Sequence, residues 1–384
     1  MPCLNEELTI GSCIEKAMLG LQHLGLTGEI IVADNGSTDA SVAICQRFGV
    51  RVVHQPLRGY GNAYQKGIQA ARGKYIVIAD SDDTYDLSEI GRIVDLLRQG
   101  YDLVMGNRFK GTILPGAMPW SHRYIGNPIL SWILKVMFAT GVGDAHSGIR
   151  GFTPVAYRQL NLRSPGMEFA SEMVINAAKL RLKVAEVPVT YYPRQGSSKL
   201  RTFRDGWRHL RYMLLRSPSH LFIAPGLLLL SLGLAAMIPF LWGPVNLGGH
   251  PFDIHAMFFI GMCTLIGYQI VALGVYARLL SVREGIDAED GVVRYLRSSF
   301  RLERGILLGL VLVLIGVGAS APVLIKWLSS AFGPLSLSDT RLAFFGFIGV
   351  VLGVQTIFSS FYLLLVLGLH ADETSPGIPV QSPE

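Results

Sequence analysis

The sequence is short of cysteine and of charge. Its four cysteines, Cys3, Cys13, Cys45 and Cys263, form no C-x-x-C pair and show no metal-ligand spacing. That excludes a disulfide framework and a cysteine-bound zinc module, and the thiols read as reduced or buried. Asp, Glu, Lys and Arg together make up 16% of the chain, against roughly a quarter in an ordinary soluble domain. The opening MPCLNEE does not read as a secretory leader.

Apolar residues fill the gap. They are 50% of the 384 positions, and mean hydropathy is +0.38. Up to Leu200 the chain reads as a charged α/β domain, and from Leu221 it reads as membrane. Four long apolar runs, Leu221–Trp242, His255–Leu280, Gly305–Leu328 and Leu342–Leu369, carry no central charge. Each is long enough for a hydrocarbon core, which takes about 20 helical residues.

The links 243–254 and 329–341 are nearly free of Lys and Arg, whereas Ser281–Arg304 carries Arg283, Arg294, Arg297, Arg301 and Arg304. By the positive-inside rule, residues 1–200, that loop and the tail 371–384 are expected in the cytoplasm of a multi-pass membrane protein. The short, acidic, proline-bearing tail reads as disordered. Residues 201–220, which take in most of the basic and aromatic stretch KLRTFRDGWRHLRYMLLR at Lys199–Arg216, read as an amphipathic interfacial helix. The net charge of +6, massed near the apolar half, points to anionic lipid or phosphate partners and away from nucleic acid.

Within residues 1–200, strand and helix patterns alternate. Helices are expected at Thr9–Leu24, Ala40–Phe48 (capped by Ser37 or Thr38), Asn62–Ala71 and Leu87–Gln99. Strands are expected at Glu29–Ala33, Val50–His54, Tyr75–Ala79, Asp102–Met105 and Lys183–Tyr192. This alternation implies a mostly parallel sheet with right-handed crossovers. Gly116–Gly141 presents a wide apolar face containing Trp120, Tyr124 and Trp132 with the basic positions His122, Arg123 and Lys135. It fits either a helix lying in a bilayer interface or one packed on the domain core.

The stretch KYIVIADSDDTYD organises the domain. A buried strand ends in Asp80, Ser81, Asp82 and Asp83, and alternation along extended backbone turns Asp80 and Asp82 the same way. Carboxylates at the C-terminal end of a sheet strand stand where open α/β sheets bind ligands. Their mutual repulsion is relieved by a divalent cation, Mg2+ or Mn2+, which completes its shell with water and phosphate oxygens.

Seven stretches in order, MPCLNEE, VADNGSTD, GYGNAYQKG, ADSDD, GNRF, DAHSGIRGF and RQGSSKLR, resemble family 2 glycosyltransferases of GT-A fold. Within them the chain looks like the polyprenyl-phosphate glycosyltransferases, the dolichol-phosphate mannose synthase group. The resemblance spans Met1 to Arg216. It implies a nucleotide-diphospho-sugar transferase domain of Rossmann-like α/β type followed by an α-helical transmembrane domain of four spans. It further implies inverting transfer of a hexose from a nucleotide sugar to a polyprenyl phosphate by direct displacement.

Carried onto this sequence, the resemblance implies donor contacts from Pro2, Asn5, Glu6, Asp34, Gly61, Asp80 and Ser81. It places metal ligation at Asp80 and Asp82, and catalysis at Asp82, Asp144 and Arg150. Acceptor-phosphate contacts fall to Arg123, Arg150, Arg194 and Lys199, since guanidinium groups suit bidentate phosphate binding. A phosphate monoester has its second pKa at about 6, so the acceptor is already an anionic nucleophile at neutral pH. Asp144 is therefore expected to orient the acceptor at least as much as to take a proton.

Two departures stand out. The strand that the family places before Pro2 is missing, and a start codon further upstream is the expectation. Thr84 stands where many relatives have glutamine. Two other functions compete: a processive polysaccharide synthase, whose Q-x-x-R-W motif is met here only by RDGW at Arg204–Trp207, and a non-catalytic membrane protein that binds sugar nucleotides. A homo-oligomer is compatible with the four spans.

Overall fold

The structure, a computed structural model, describes residues 1–196, 202–285 and 289–368. Lys199 and the tail 371–384 lie outside these residues. The chain divides into two compact units, Met1–Ser217 and Pro218–Glu384.

The first unit is the expected α/β domain. Its elements begin with β1 (Pro2–Cys3), α1 (Ile10–His23), β2 (Ile31–Asp34), α2 (Ser41–Arg47), β3 (Arg51–His54), α3 (Tyr60–Ala70), β4 (Ile76–Ile78) and α4 (Gly91–Arg98). They continue with β5 (Leu103–Asn107), α5 (Asn127–Phe138), β6 (Arg150–Phe152), α6 (Pro154–Leu160), α7 (Phe169–Lys179), β7 (Val184–Pro188) and α8 (Thr202–Leu215). One sheet is parallel, ordered β1-β2-β3. The other is ordered β4-β6-β5-β7, with β6 antiparallel to both neighbours.

The apolar pattern explains these elements. Ile10 and Ile14, four apart on α1, are fully buried on one face. Leu103, Val104 and Met105 have no exposed surface, as a strand covered on both sides requires. The helix at Ser41 has Ala40 at its cap position, not Ser37 or Thr38. The Ser37 hydroxyl is used elsewhere, accepting the amide of Asn5 at 3.0 Å.

A strand does stand at the start of the chain, though only two residues long: Ala33 donates to the Met1 carbonyl at 2.8 Å, and the Met1 amine donates to Ile31 at 2.9 Å. An apolar cavity of about 680 Å³ lies beside β2 and β4, lined by Met1, Ile31, Ala33, Ile76, Ile78 and Ile68 among others.

The Gly116–Gly141 stretch packs on the domain core on one side and is exposed on the other. Ser131 and Leu134 of α5 are buried, and Leu130, Ile133 and Met137 pack on the core. On the other side Trp120, Tyr124, Ile129 and Trp132 stand exposed, the tryptophans at 67% and 63%. An apolar face this large left open is one made to be covered.

The second unit holds four helices long and apolar enough to cross a membrane, over Ser219–Leu241, Ile254–Arg283, Leu302–Ser329 and Leu337–Leu367. In element terms these are α9 (Ala224–Met237, entered from a π turn), α10 (Ile254–Arg283), α12 (Leu302–Ser329) and α13 (Leu337–Leu367). A hairpin of β8 (Val245–Leu247) and β9 (His250–Phe252) joins α9 to α10, and the short α11 (Gly291–Ser299) precedes α12. α12 packs along α13 backbone to backbone: a β-carbon on Gly316 would strike the Gly346 carbonyl and the Val350 amide. Small residues at such crossings let transmembrane helices approach closely.

Candidate active site

Asp80 follows β4 and is held by two aromatic side chains. Tyr60 and Tyr64, one turn apart on α3, both donate to its Oδ1, at 2.9 and 3.0 Å. Burial and the charge of Asp80 push both phenols well above the usual tyrosine value, so both remain donors. Burial, and next the charge of Asp82, raise the Asp80 carboxyl to about 6, against the counter-pull of the two phenols and Arg194.

Asp82 is nearly buried. Its Oδ1 accepts the Thr84 hydroxyl at 2.7 Å, and its Oδ2 faces Arg194 Nη1 at 3.3 Å. The second terminal nitrogen of Arg194 reaches Glu6 at 3.2 Å. Arg194 thus ties the chain after β7 to the N-terminal loop and to the acidic strand end. Its buried Nε has no partner among the described residues.

The neighbouring acids and hydroxyls serve as struts. Asp83, at φ 61°, is held by Lys16 at 2.7 Å and Ser12 at 3.0 Å. Ser81 points away from its flanking aspartates, its hydroxyl donating to the Pro2 carbonyl at 2.6 Å. It locks β1 to the acidic strand end, so its side chain is not a donor contact.

Asp34 accepts the amides of Ser37 and Gly36 and lies 3.2 Å from His54 Nδ1. Burial opposes its charge, but the hydrogen bonds from Ser37, His54 and Gly36 outweigh it and hold the carboxyl below its usual value. Asn5 shapes the same loop by accepting the Thr38 amide at 2.8 Å.

Gly61 is buried, and a β-carbon there would collide with the Ser164 carbonyl. Two expectations need correction. Arg150 is fully buried inside the sheet. Its Nε, Nη1 and Nη2 donate to the carbonyls of Ser147, Ala170 and Ala145 at 2.8–3.0 Å, leaving no fork for an acceptor phosphate. Asp144 has no exposed surface, and both its oxygens are taken by Arg108, through Nε at 2.7 Å, Nη2 at 2.8 Å and the backbone amide at 3.0 Å. In this arrangement it neither accepts a substrate proton nor touches an acceptor.

Arg123 has no acidic partner among the described residues. It stacks over Tyr124 at 5.5 Å on the exposed aromatic face.

Several contributors were not singled out from sequence. Arg108 sits inside the quoted GNRF stretch, but nothing in the stretch names Asp144 as its partner. Tyr60 and Tyr64 had a readable signal, two phenols at i and i+4 on one helix face. Glu186 of β7 gathers the amides of Gly143 and Asp144 and the Asn107 side chain at 2.7–3.1 Å.

A divalent cation fits this chemistry. Two hard oxygen donors stand two residues apart, and burial first and the charge of Asp82 second raise the Asp80 carboxyl. Among the described residues no group of three or more His, Cys, Asp or Glu could hold a metal by itself. Protein ligands would therefore be the two aspartates, with water and substrate oxygens completing the shell.

Residues 1–160 match Glycosyl transferase family 2, and residues 275–367 match the Glycosyltransferase family 2 C-terminal transmembrane region. The chain is 39% identical to the low-salt glycan biosynthesis hexosyltransferase Agl6 of Haloferax volcanii, over 94% of this chain and 87% of that protein. The chain belongs to glycosyltransferase family 2. A dolichyl-phosphate hexose transferase of the same organism is 29% identical over 54% of the chain and 87% of its own length. Among solved structures, glucosyl-3-phosphoglycerate synthase from Mycobacterium tuberculosis, crystallised with Mn2+, UDP and phosphoglyceric acid, is 24% identical over 56% of this chain and 74% of its own, at a TM-score of 0.44.

The transferase is thus an enzyme whose N-terminal α/β unit carries the family's GT-A domain. Its C-terminal unit carries four helices able to cross a membrane.

Proposed function

We propose that this transferase moves a hexose from a nucleotide-diphosphate sugar to a polyprenyl phosphate, at the cytoplasmic face of the cell membrane, with Mg2+ or Mn2+ at Asp80 and Asp82. The observation that carries the reading is the acidic pair opposed by Arg194 in the first unit; the exposed Trp120–Trp132 face of that unit and the four apolar helices of the second support a bilayer setting. A bound cation would neutralise charge on the departing nucleoside diphosphate. The Pro2–Glu6 loop, joined to Asp82 through Arg194 and to the Asp34 turn through Asn5, would supply the nucleoside end.

The protein's own part is positioning and charge. Tyr60 and Tyr64 fix the Asp80 carboxylate, and Thr84 fixes that of Asp82. Arg194 supplies the positive charge that two anionic substrates need, and it is free to exchange Asp82 for phosphate. Arg123, on the exposed aromatic face, reaches a lipid phosphate at the surface, and Lys199 follows in the basic stretch. Asp144 serves through Arg108 as a positioning residue. The dolichyl-phosphate activity named for the Haloferax volcanii relative supports the acceptor class.

Incubation of membranes containing the transferase with a panel of labelled nucleotide sugars, polyprenyl phosphate and Mn2+ tests the proposal. Lipid-extractable label from one donor is the expected result. Transfer onto soluble carbohydrate with none onto the lipid overturns it.

A further inference from the structure

Between the apolar helices of the second unit lies a groove that the chemistry above does not use. α10 and α12 both pack on α13, and the space between them forms a cavity of about 440 Å³. Val271, Ala272 and Val275 of α10 line one side, and Gly305 and Leu308 of α12 line the other. Three of the hydroxyls on its walls are bonded within the bundle: Tyr268 to Thr356 at 2.9 Å, Tyr276 to the Ser359 carbonyl at 3.3 Å, and Ser360 to the Thr356 carbonyl at 2.7 Å. Water gains little in such a space, and hydrocarbon gains the full burial.

One end of the groove is different. Arg301 and Arg304 line it, both exposed, and neither has an ion-pair partner among the described residues. Among the described acids nearby in sequence, Asp290 pairs with Arg278 and Glu289 with Arg297, while Glu284 and Glu303 are exposed. An apolar groove of this volume ending in two guanidinium groups without an ion-pair partner among the described residues complements a lipid tail that ends in a doubly charged head. A phosphate monoester carries close to two charges at neutral pH, whereas a phosphodiester headgroup carries one and brings two tails.

We infer that this groove is a holding site for a polyprenyl phosphate, the tail lying between α10 and α12 and the phosphate on Arg301 and Arg304. The inference rests on the acceptor class proposed above and adds a second lipid site in the membrane unit. It assigns Arg301 and Arg304 to acceptor capture, not to the reaction.

The test uses full-length transferase in nanodiscs and a diazirine-bearing polyprenyl phosphate, with cross-linked peptides mapped by mass spectrometry. Label on α10 and α12 is expected. Excess polyprenyl phosphate should compete it away, and phosphatidylglycerol should not. Arg301→Gln with Arg304→Gln should remove most of it and raise the KM for the lipid several-fold, leaving the KM for the donor and kcat at saturating lipid unchanged. Ala272→Trp, which fills the slot, should do the same without touching a charge.

Absent groove label, equal competition by phosphatidylglycerol, or label unchanged in both variants overturns the inference. Sugar transfer to the lipid without groove label sinks this site alone. Groove label without any transfer sinks the acceptor assignment instead.

Discussion

Arg108 closes on Asp144 at two points, Nε to Oδ2 at 2.7 Å and Nη2 to Oδ1 at 2.8 Å, with both side chains buried. A buried pair of this kind is costly to break from one side, about 3–5 kcal/mol, because the surviving charge is left uncompensated. Asp144→Asn and Arg108→Met are each expected to lower the unfolding temperature sharply. The double variant should lose less than the two single losses combined, since neither charge is then stranded. Calorimetry of the three variants checks this. Loss of turnover in Asp144→Asn at unchanged stability would mark Asp144 as a catalytic base.

Asp80 gives the enzyme a pH signature. Its carboxyl is raised from 3.8 to about 6 in the folded state, by burial first and Asp82 second. The folded protein then holds more protons than the unfolded chain between those values, so this group's contribution makes stability fall as pH rises from about 4 to about 6. Asp80→Asn should flatten that limb of the metal-free stability curve. Saturating Mn2+ should flatten it too, and Mn2+ affinity should climb through pH 6. A metal-free curve identical in wild type and variant counts against the assignment.

The His209 ring of α8 lies 2.8 Å from the Ser171 hydroxyl, which lies 3.2 Å from His146. Burial drops His209 to about 4 and His146 well below its ordinary value. Both rings are neutral when folded. Their contribution is complete above pH 6.5 and is lost as pH falls from there towards 4. His209→Gln should make the protein less sensitive to acid in that window, measured by denaturant midpoints at fixed pH. An unchanged acid limb would show that α8 does not report on this network.

The cavity beside β2 and β4 also makes an expectation. Placing about five apolar β-branched residues ahead of Met1, a usual strand length, should extend β1 and fill it. The burial-depressed Met1 amine, lowered to about 6, then becomes an amide within a strand. The unfolding temperature should rise by several degrees, and a polar extension of equal length should not raise it.

How much of this was legible in the sequence depends on the range of the interaction. Local periodicity located α1, α2, α3 and the four long helices to within a few residues, because those patterns depend on neighbours along the chain. β6 went unread: Arg150–Phe152 is three residues inside a motif, and its strand character comes from pairing with β4 and β5 far away in sequence. The acidic run Asp80–Asp83 was readable because it is local in sequence, whereas the tyrosines that hold Asp80 and the arginine that faces Asp82 come from the fold. The fates of Asp144 and Arg150 were not readable, since what satisfies them is Arg108 and a set of distant carbonyls. Arg194 was named as a phosphate contact, but its grip on Glu6 and Asp82 needed the fold.

The central claim is that a cation held by Asp80 and Asp82 lets a nucleoside diphosphate leave while a lipid phosphate takes the sugar. Its most direct test is lipid-extractable sugar transfer titrated with Mn2+ in wild type and Asp82→Asn, with EDTA as control. Transfer that rises with Mn2+ in wild type, and falls by orders of magnitude in the variant and in EDTA, is the predicted result. Full transfer in EDTA, or in a folded, membrane-inserted Asp82→Asn, contradicts it.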